Sequence, residues 1–141
     1  MSEHYIKQLS IFVNNEPGRL AELAAAMKEC GINMKAFNIA ESSGFGVLRA
    51  ITDDPDRAYR ELSKKGIIVK ETNVIAIPMI DKPGGLLEVA SVLGDAKINI
   101  EYGYAYSDGD RASFFFRVDD AGSAITELQK AGVRVLKGTE I

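Results

Sequence analysis

The apolar positions of this chain change period several times, and each change marks a new element. Residues 8–13 and 74–80 are short apolar runs that each lead into a Pro-Gly pair, the pattern of a strand halted before a helix. Apolar residues then recur at i, i+3, i+4 and i+7: Leu20, Leu23, Ala24 and Met27, then Leu86, Val89, Ala90 and Leu93. That spacing is one face of a helix. Proline near the first helical turn forfeits no hydrogen bond, because that N–H has no intrahelical partner. Gly31 suits the end of the first helix; the second has Lys97 at the matching position and is expected to end at Gly94.

Strands are expected over 32–40 and 46–52, and again over 98–106 and 112–118. They are joined by hairpin turns at Ser42-Ser43-Gly44 and Asp108-Gly109-Asp110. Further helices over 55–65 and 121–131 stop at Gly66 and Gly132, and last strands follow over 67–71 and 133–137. The pairs Asp53-Asp54 and Asp119-Asp120, each just before a helix, read as caps that complement its dipole rather than as catalytic acids.

The pattern repeats. Pro17-Gly18 maps onto Pro83-Gly84 at a shift of 66 residues, and the same ungapped shift carries Ile32-Asn33 onto Ile98-Asn99, Asp53-Asp54 onto Asp119-Asp120 and Gly66 onto Gly132. The chain therefore reads as a β-α-β-β-α-β unit written twice, over 1–71 and 72–141. That order specifies an α+β fold, a duplicated ferredoxin-like sandwich with a four-stranded antiparallel sheet and both helices on one face. No Gly, Pro or Ser cluster interrupts residues 67–77, so no flexible linker is expected between the copies.

Alternation places Phe114 and Phe116 on one face of their strand and Phe115 on the other, so both sheet faces are expected to be covered. Ile98, Ile100, Tyr102, Tyr104 and Tyr106 share one parity and read first as core against the helices, with an interface or a ligand wall as the alternative. A homodimer follows as an expectation.

Composition narrows the chemistry. One Cys (Cys30) and one His (His4) cannot build a Cys/His zinc site, a disulfide or a dithiol redox motif, so no metal or cofactor is expected. Cys30 reads as a small core residue, and His4 as a solvated imidazole on a frayed tail. No nucleophile–base pair is visible, and the chain reads as non-catalytic. A net charge of −3 has the wrong sign for a protein that lives on phosphate backbones. The apolar runs fall far short of the roughly 18 residues of a membrane span, and no signal peptide is visible, so a cytoplasmic protein without membrane contact is expected.

What remains is suited to binding. The turn Asn14-Asn15-Glu16-Pro17-Gly18-Arg19-Leu20 and its copy Ile80-Asp81-Lys82-Pro83-Gly84-Gly85-Leu86 each present a glycine at a helix start, where free N–H groups and the dipole suit a carboxylate. Asn15 adds a side-chain acceptor, and Asp81 could pair with an α-ammonium group. Simple helix punctuation would need the same residues. Asn33 and Asn99 stand at the entrance of the second strand of each unit, offering both a donor and an acceptor. An Asx-type bond that shapes the loop is the alternative there.

These turns, the amphipathic helix, Gly31-Ile32-Asn33-Met34 and the 66-residue β-α-β-β-α-β unit together resemble an ACT domain, and the second copy does so through Asp81-Lys82-Pro83-Gly84-Gly85-Leu86 and Ile98-Asn99. The resemblance covers nearly the whole chain and implies a stand-alone tandem-ACT regulatory protein that binds an amino acid between paired domains. It carries ligand contacts onto Asn15, Pro17, Gly18, Leu20 and Asn33, and onto Asp81, Pro83, Gly84, Leu86 and Asn99. It also implies an enzyme or regulator of amino-acid metabolism as the downstream partner. Asp81 for Asn15 and Gly85 for Arg19 depart from equivalence between the copies. An RNA-binding module shares this topology, and Gly44-Phe45-Gly46-Val47 partly resembles its aromatic strand, but the basic and further aromatic positions are missing. A structural protein that has lost its ligand is the third reading.

Overall fold

Period-2 alternation becomes strand and period-3.6 becomes helix along most of the chain. The computed structural model describes residues 2–42, 44–108 and 111–141. The elements run β1 (Ile6–Asn14), α1 (Arg19–Glu29), β2 (Met34–Ser42), β3 (Phe45–Thr52), α2 (Pro55–Lys64), β4 (Val69–Pro78), α3 (Gly85–Asp95), β5 (Ile100–Asp108), β6 (Arg111–Val118) and α4 (Ala121–Lys130). Short 3-10 turns lie at Ser2–His4 and Gly138–Glu140. Of the expected hairpin turns, Ser43, Gly109 and Asp110 lie outside the described residues. The chain folds as two units, Lys7–Thr72 and the residues up to Ile6 together with Asn73–Ile141.

In the first unit the strand order is β2-β3-β1-β4, with β1–β3 and β2–β3 antiparallel. Leu9 and Ile11 of β1 and Leu48 of β3 point to one face, where they meet Leu23 and Met27 of α1 and Ala58 and Leu62 of α2. The second unit repeats this as β4-β6-β5, with Ile75, Ile77, Phe114 and Phe116 against Val89 and Leu93 of α3 and Ala124, Ile125 and Leu128 of α4. Asp54 and Asp120 cap α2 and α4, their carboxylates accepting from the N–H groups of Arg57 (3.2 Å) and Ser123 (3.1 Å).

Several expectations are corrected. The strands expected over 67–71 and 74–80 are the single strand β4. No strand forms over 133–137, although Val135 and Leu136 are buried and Leu136 N–H donates to Ala76 O at 2.8 Å. Proline explains the difference. In the first unit Phe12 N–H donates to Ile68 O at 3.1 Å; 66 residues on stand Pro78 and Arg134, and Pro78 has no N–H to give.

Helix α3 runs past Gly94 to Asp95, because Lys97 itself takes the left-handed conformation (φ 62°) that Gly31 takes in the first unit (φ 68°). The helical stripe is narrower than the spacing suggests: Leu23, Met27, Val89 and Leu93 are buried, whereas Leu20, Ala24, Leu86 and Ala90 are exposed. Tyr102, Tyr104 and Tyr106 do not face the helices. A register shift between Ile100 and Tyr102 inverts their parity, so Ile98 and Ile100 pack on the core while Tyr104 pairs with Phe115 and stacks on it at 5.8 Å. His4 is not a frayed residue: it is buried, with Nδ1 3.4 Å from Leu136 O and Nε2 3.3 Å from Gln129 Nε2. Cys30 is half-buried at the core margin and caps the end of α1.

Candidate functional site

Each Pro-Gly segment is the same piece of backbone. Arg19 N–H donates to Glu16 O at 3.2 Å and Gly85 N–H to Lys82 O at 3.3 Å, closing four-residue turns with Pro at the second position and Gly at the third. Gly18 has φ 87° and ψ −16°, Gly84 φ 99° and ψ −9°. These are type II turns, which require a positive φ at the third position and so explain both glycines. One residue earlier the copies agree again, Glu16 N–H donating to Asn14 O at 2.8 Å and Lys82 N–H to Ile80 O at 2.9 Å.

The helices that follow start without help. Neither Gly18 nor Gly84 supplies a side-chain cap, in contrast to Asp54 and Asp120, so the N–H groups of Leu20 and Ala21 in α1 and of Leu86 and Leu87 in α3 are left to an outside acceptor. A Cβ built on Gly18 or Gly84 would meet nothing within 4 Å, so the space over both turns is clear.

Asn15, Pro17, Gly18 and Leu20 are all exposed on the first turn, as are Asp81, Pro83, Gly84 and Leu86 on the second. Asn33 and Asn99 are exposed immediately before β2 and β5. Among the described residues neither Asn side chain has a hydrogen-bond partner, so no Asx-type bond accounts for them. Asp81 likewise has no ion pair among the described residues.

The copies diverge in charge. In the first, Arg19 reaches Glu22 at 3.1 Å and Glu16 at 3.9 Å. In the second, Gly85 replaces Arg19 with its α-carbon turned to Ile80 O: a Cβ there would lie 2.6 Å from that oxygen. Glu88, the counterpart of Glu22, therefore has no ion-pair partner among the described residues. A cavity of about 270 Å³ opens beside it, lined by Ile80, Gly85, Glu88, Val89, Val133 and Arg134 among others. Glu88 and Arg134 were not singled out from the sequence. The available signal was the loss of Arg19 at Gly85, which leaves a repeated glutamate unpaired.

The sequence of residues 4–133 matches the family model described as an ACT domain pair. The chain belongs to that family. This ACT pair is also similar to the crystal structure of protein BT0572 from Bacteroides thetaiotaomicron, with 34% identity, a TM-score of 0.91, and coverage of 99% of this chain and 97% of that one. It shares its fold with the regulatory subunit of aspartate kinase from Thermus thermophilus in ligand-free form: 15% identity, TM-score 0.61, 93% and 95% coverage. It also shares it with E. coli aspartokinase III in complex with aspartate and ADP: 17% identity, TM-score 0.55, 90% of this chain and 32% of that one. No curated protein sequence matches significantly. Among the described residues no helix is long and apolar enough to cross a membrane.

Proposed function

We propose that this ACT pair is a non-catalytic, cytoplasmic sensor that binds an amino acid at the Pro-Gly turn of its second unit. The observation that carries the reading is Glu88, without an ion-pair partner among the described residues, beside an uncapped helix start and an open cavity. The ligand's α-carboxylate sits on the first-turn N–H groups of α3, where the dipole favours negative charge. Its α-ammonium group pairs with Glu88, with Asp81 adding a second carboxylate. Pro83 and Leu86 flank the ligand, whereas Asn99 follows the far end of α3 (Gly85–Asp95) and stands apart from this turn. In the first unit, Asn15, Pro17, Gly18 and Leu20 form the matching turn, Asn33 stands beyond the far end of α1, and Arg19 supplies the cation that a ligand would otherwise bring to Glu22.

Such a ligand regulates only through different affinity for two arrangements of the protein. Ile80, Leu86 and Leu87 are exposed apolar residues beside the site, which supports a homodimer in which this region is covered. The downstream target in this reading is an enzyme or regulator of amino-acid metabolism, as the aspartate kinase subunits that share the fold suggest. A thermal-shift screen of the whole chain against the common amino acids tests the reading. A ligand at about 100 times its dissociation constant should add about 2.7 kcal/mol, and no shift with any amino acid would remove the reading.

A further inference from the structure

We propose that the second unit also carries an anion site, separate from the turn, that takes a short aliphatic dicarboxylate. A cavity of about 450 Å³ is lined by two guanidinium groups, Arg111 at the start of β6 and Arg134, together with Ser113 and Glu140 and the apolar side chains of Met79 and Leu136. Arg111 has no ion-pair partner among the described residues. Two cations facing one hollow, with methylene-compatible walls between polar groups, fit an anionic ligand with a short apolar body.

The protein already holds one carboxylate there. Glu140, on the Gly138–Glu140 turn, is paired through Oε2 with Arg134 Nη2, while its Oε1 accepts from Lys137 N–H at 2.9 Å. The Lys137 N–H first, and then Arg134, hold the Glu140 carboxyl below the ordinary carboxylate range. Glu140 thus occupies one half of the site as an internal stand-in, and Arg111 with the Ser113 hydroxyl forms the other half. A dicarboxylate places one end on Arg111 and Ser113 and displaces Glu140 from Arg134 with the other, releasing the Gly138–Glu140 turn. Pro78 and Arg134 also line the turn cavity, so the two sites share these two residues, but Arg111 and Ser113 belong to this one alone.

Calorimetric titration of the whole chain with succinate, and separately with inorganic phosphate, tests the assignment. Saturable succinate binding is expected, weakened at least about tenfold by Arg111→Ala and tightened several-fold by Glu140→Gln, which removes the competing charge. Arg111 is exposed and unpaired among the described residues, so its variant should melt as the parent does. It should also keep any amino-acid shift, which separates failure of this site from failure of the turn site. Lack of saturation by succinate, phosphate binding as tight as succinate, or Glu140→Gln binding no tighter than the parent would each overturn the proposal.

Discussion

Gly103 lies directly opposite Phe116 across the β5–β6 ladder, and its missing side chain is what makes room for the second unit's aromatic core. A Cβ on Gly103 would stand 2.6 Å from Phe114 Cε1 and 3.0 Å from Phe116 Cβ, and those two rings stack at 5.0 Å. The first unit makes the opposite choice. Phe37 occupies the Gly103 position and faces Ala50 where the second unit has Phe116. Bulk has moved from one strand to its neighbour between the copies. Gly103→Ala should destabilise the chain by about 1–3 kcal/mol through overpacking, read as a lower urea midpoint at unchanged slope. Phe37→Ala, at a position that is 54% exposed, should cost clearly less than Phe116→Ala.

Lys97 performs a glycine's task at φ 62°. A side chain in that region carries strain of about 1 kcal/mol, which Gly31 avoids in the first unit. Lys97→Gly should therefore raise the melting temperature, whereas Gly31→Ala should lower it.

Arg57 closes the end of α1 from another element. Its Nη1 donates to Cys30 O at 2.6 Å and its Nη2 to Gly31 O at 2.9 Å, so one guanidinium satisfies two carbonyls where the helix ends. The second unit has Ser123 in that place. Arg57→Ala should destabilise by about 1–2 kcal/mol, a value set by the loss of charge-assisted bonds at a partly buried position. Ser123→Ala leaves α3 untouched and acts only on the Asp120 cap.

Acid should weaken that cap. The Asp120 carboxyl is held below the ordinary carboxylate range by the Ser123 hydroxyl first and then by the Ser123 N–H. A group depressed in the folded state stabilises it above the unfolded pKa, and the contribution fades as pH falls through the folded one. Asp120→Asn should thus be less stable than the parent at neutral pH, with the gap closing in acid titrations followed by circular dichroism.

The repeat made the fold legible, because a shift of 66 residues aligned turns, helices and strands without a gap. The misread details came from interactions that periodicity does not encode. A bulge after Ile100 inverted the tyrosines, Pro78 withheld one N–H from the expected last strand, and Leu136 and Gln129 gave His4 partners far along the chain. At the candidate site, the turn and the asparagines were visible as residue types. Glu88 was not, because its availability depends on Arg19 being absent from the second copy, a difference between units that matters only once Glu22 is seen paired with Arg19 at 3.1 Å.

The central claim is that an amino acid binds beside Glu88, and calorimetric titration of charge-neutral variants tests it most directly. With the amino acid that gives the largest thermal shift, Glu88→Gln should weaken binding at least about tenfold, the loss expected for one ammonium–carboxylate pair, while Glu22→Gln leaves it unchanged. Equal weakening by the two substitutions, or unaltered binding by Glu88→Gln, would contradict it.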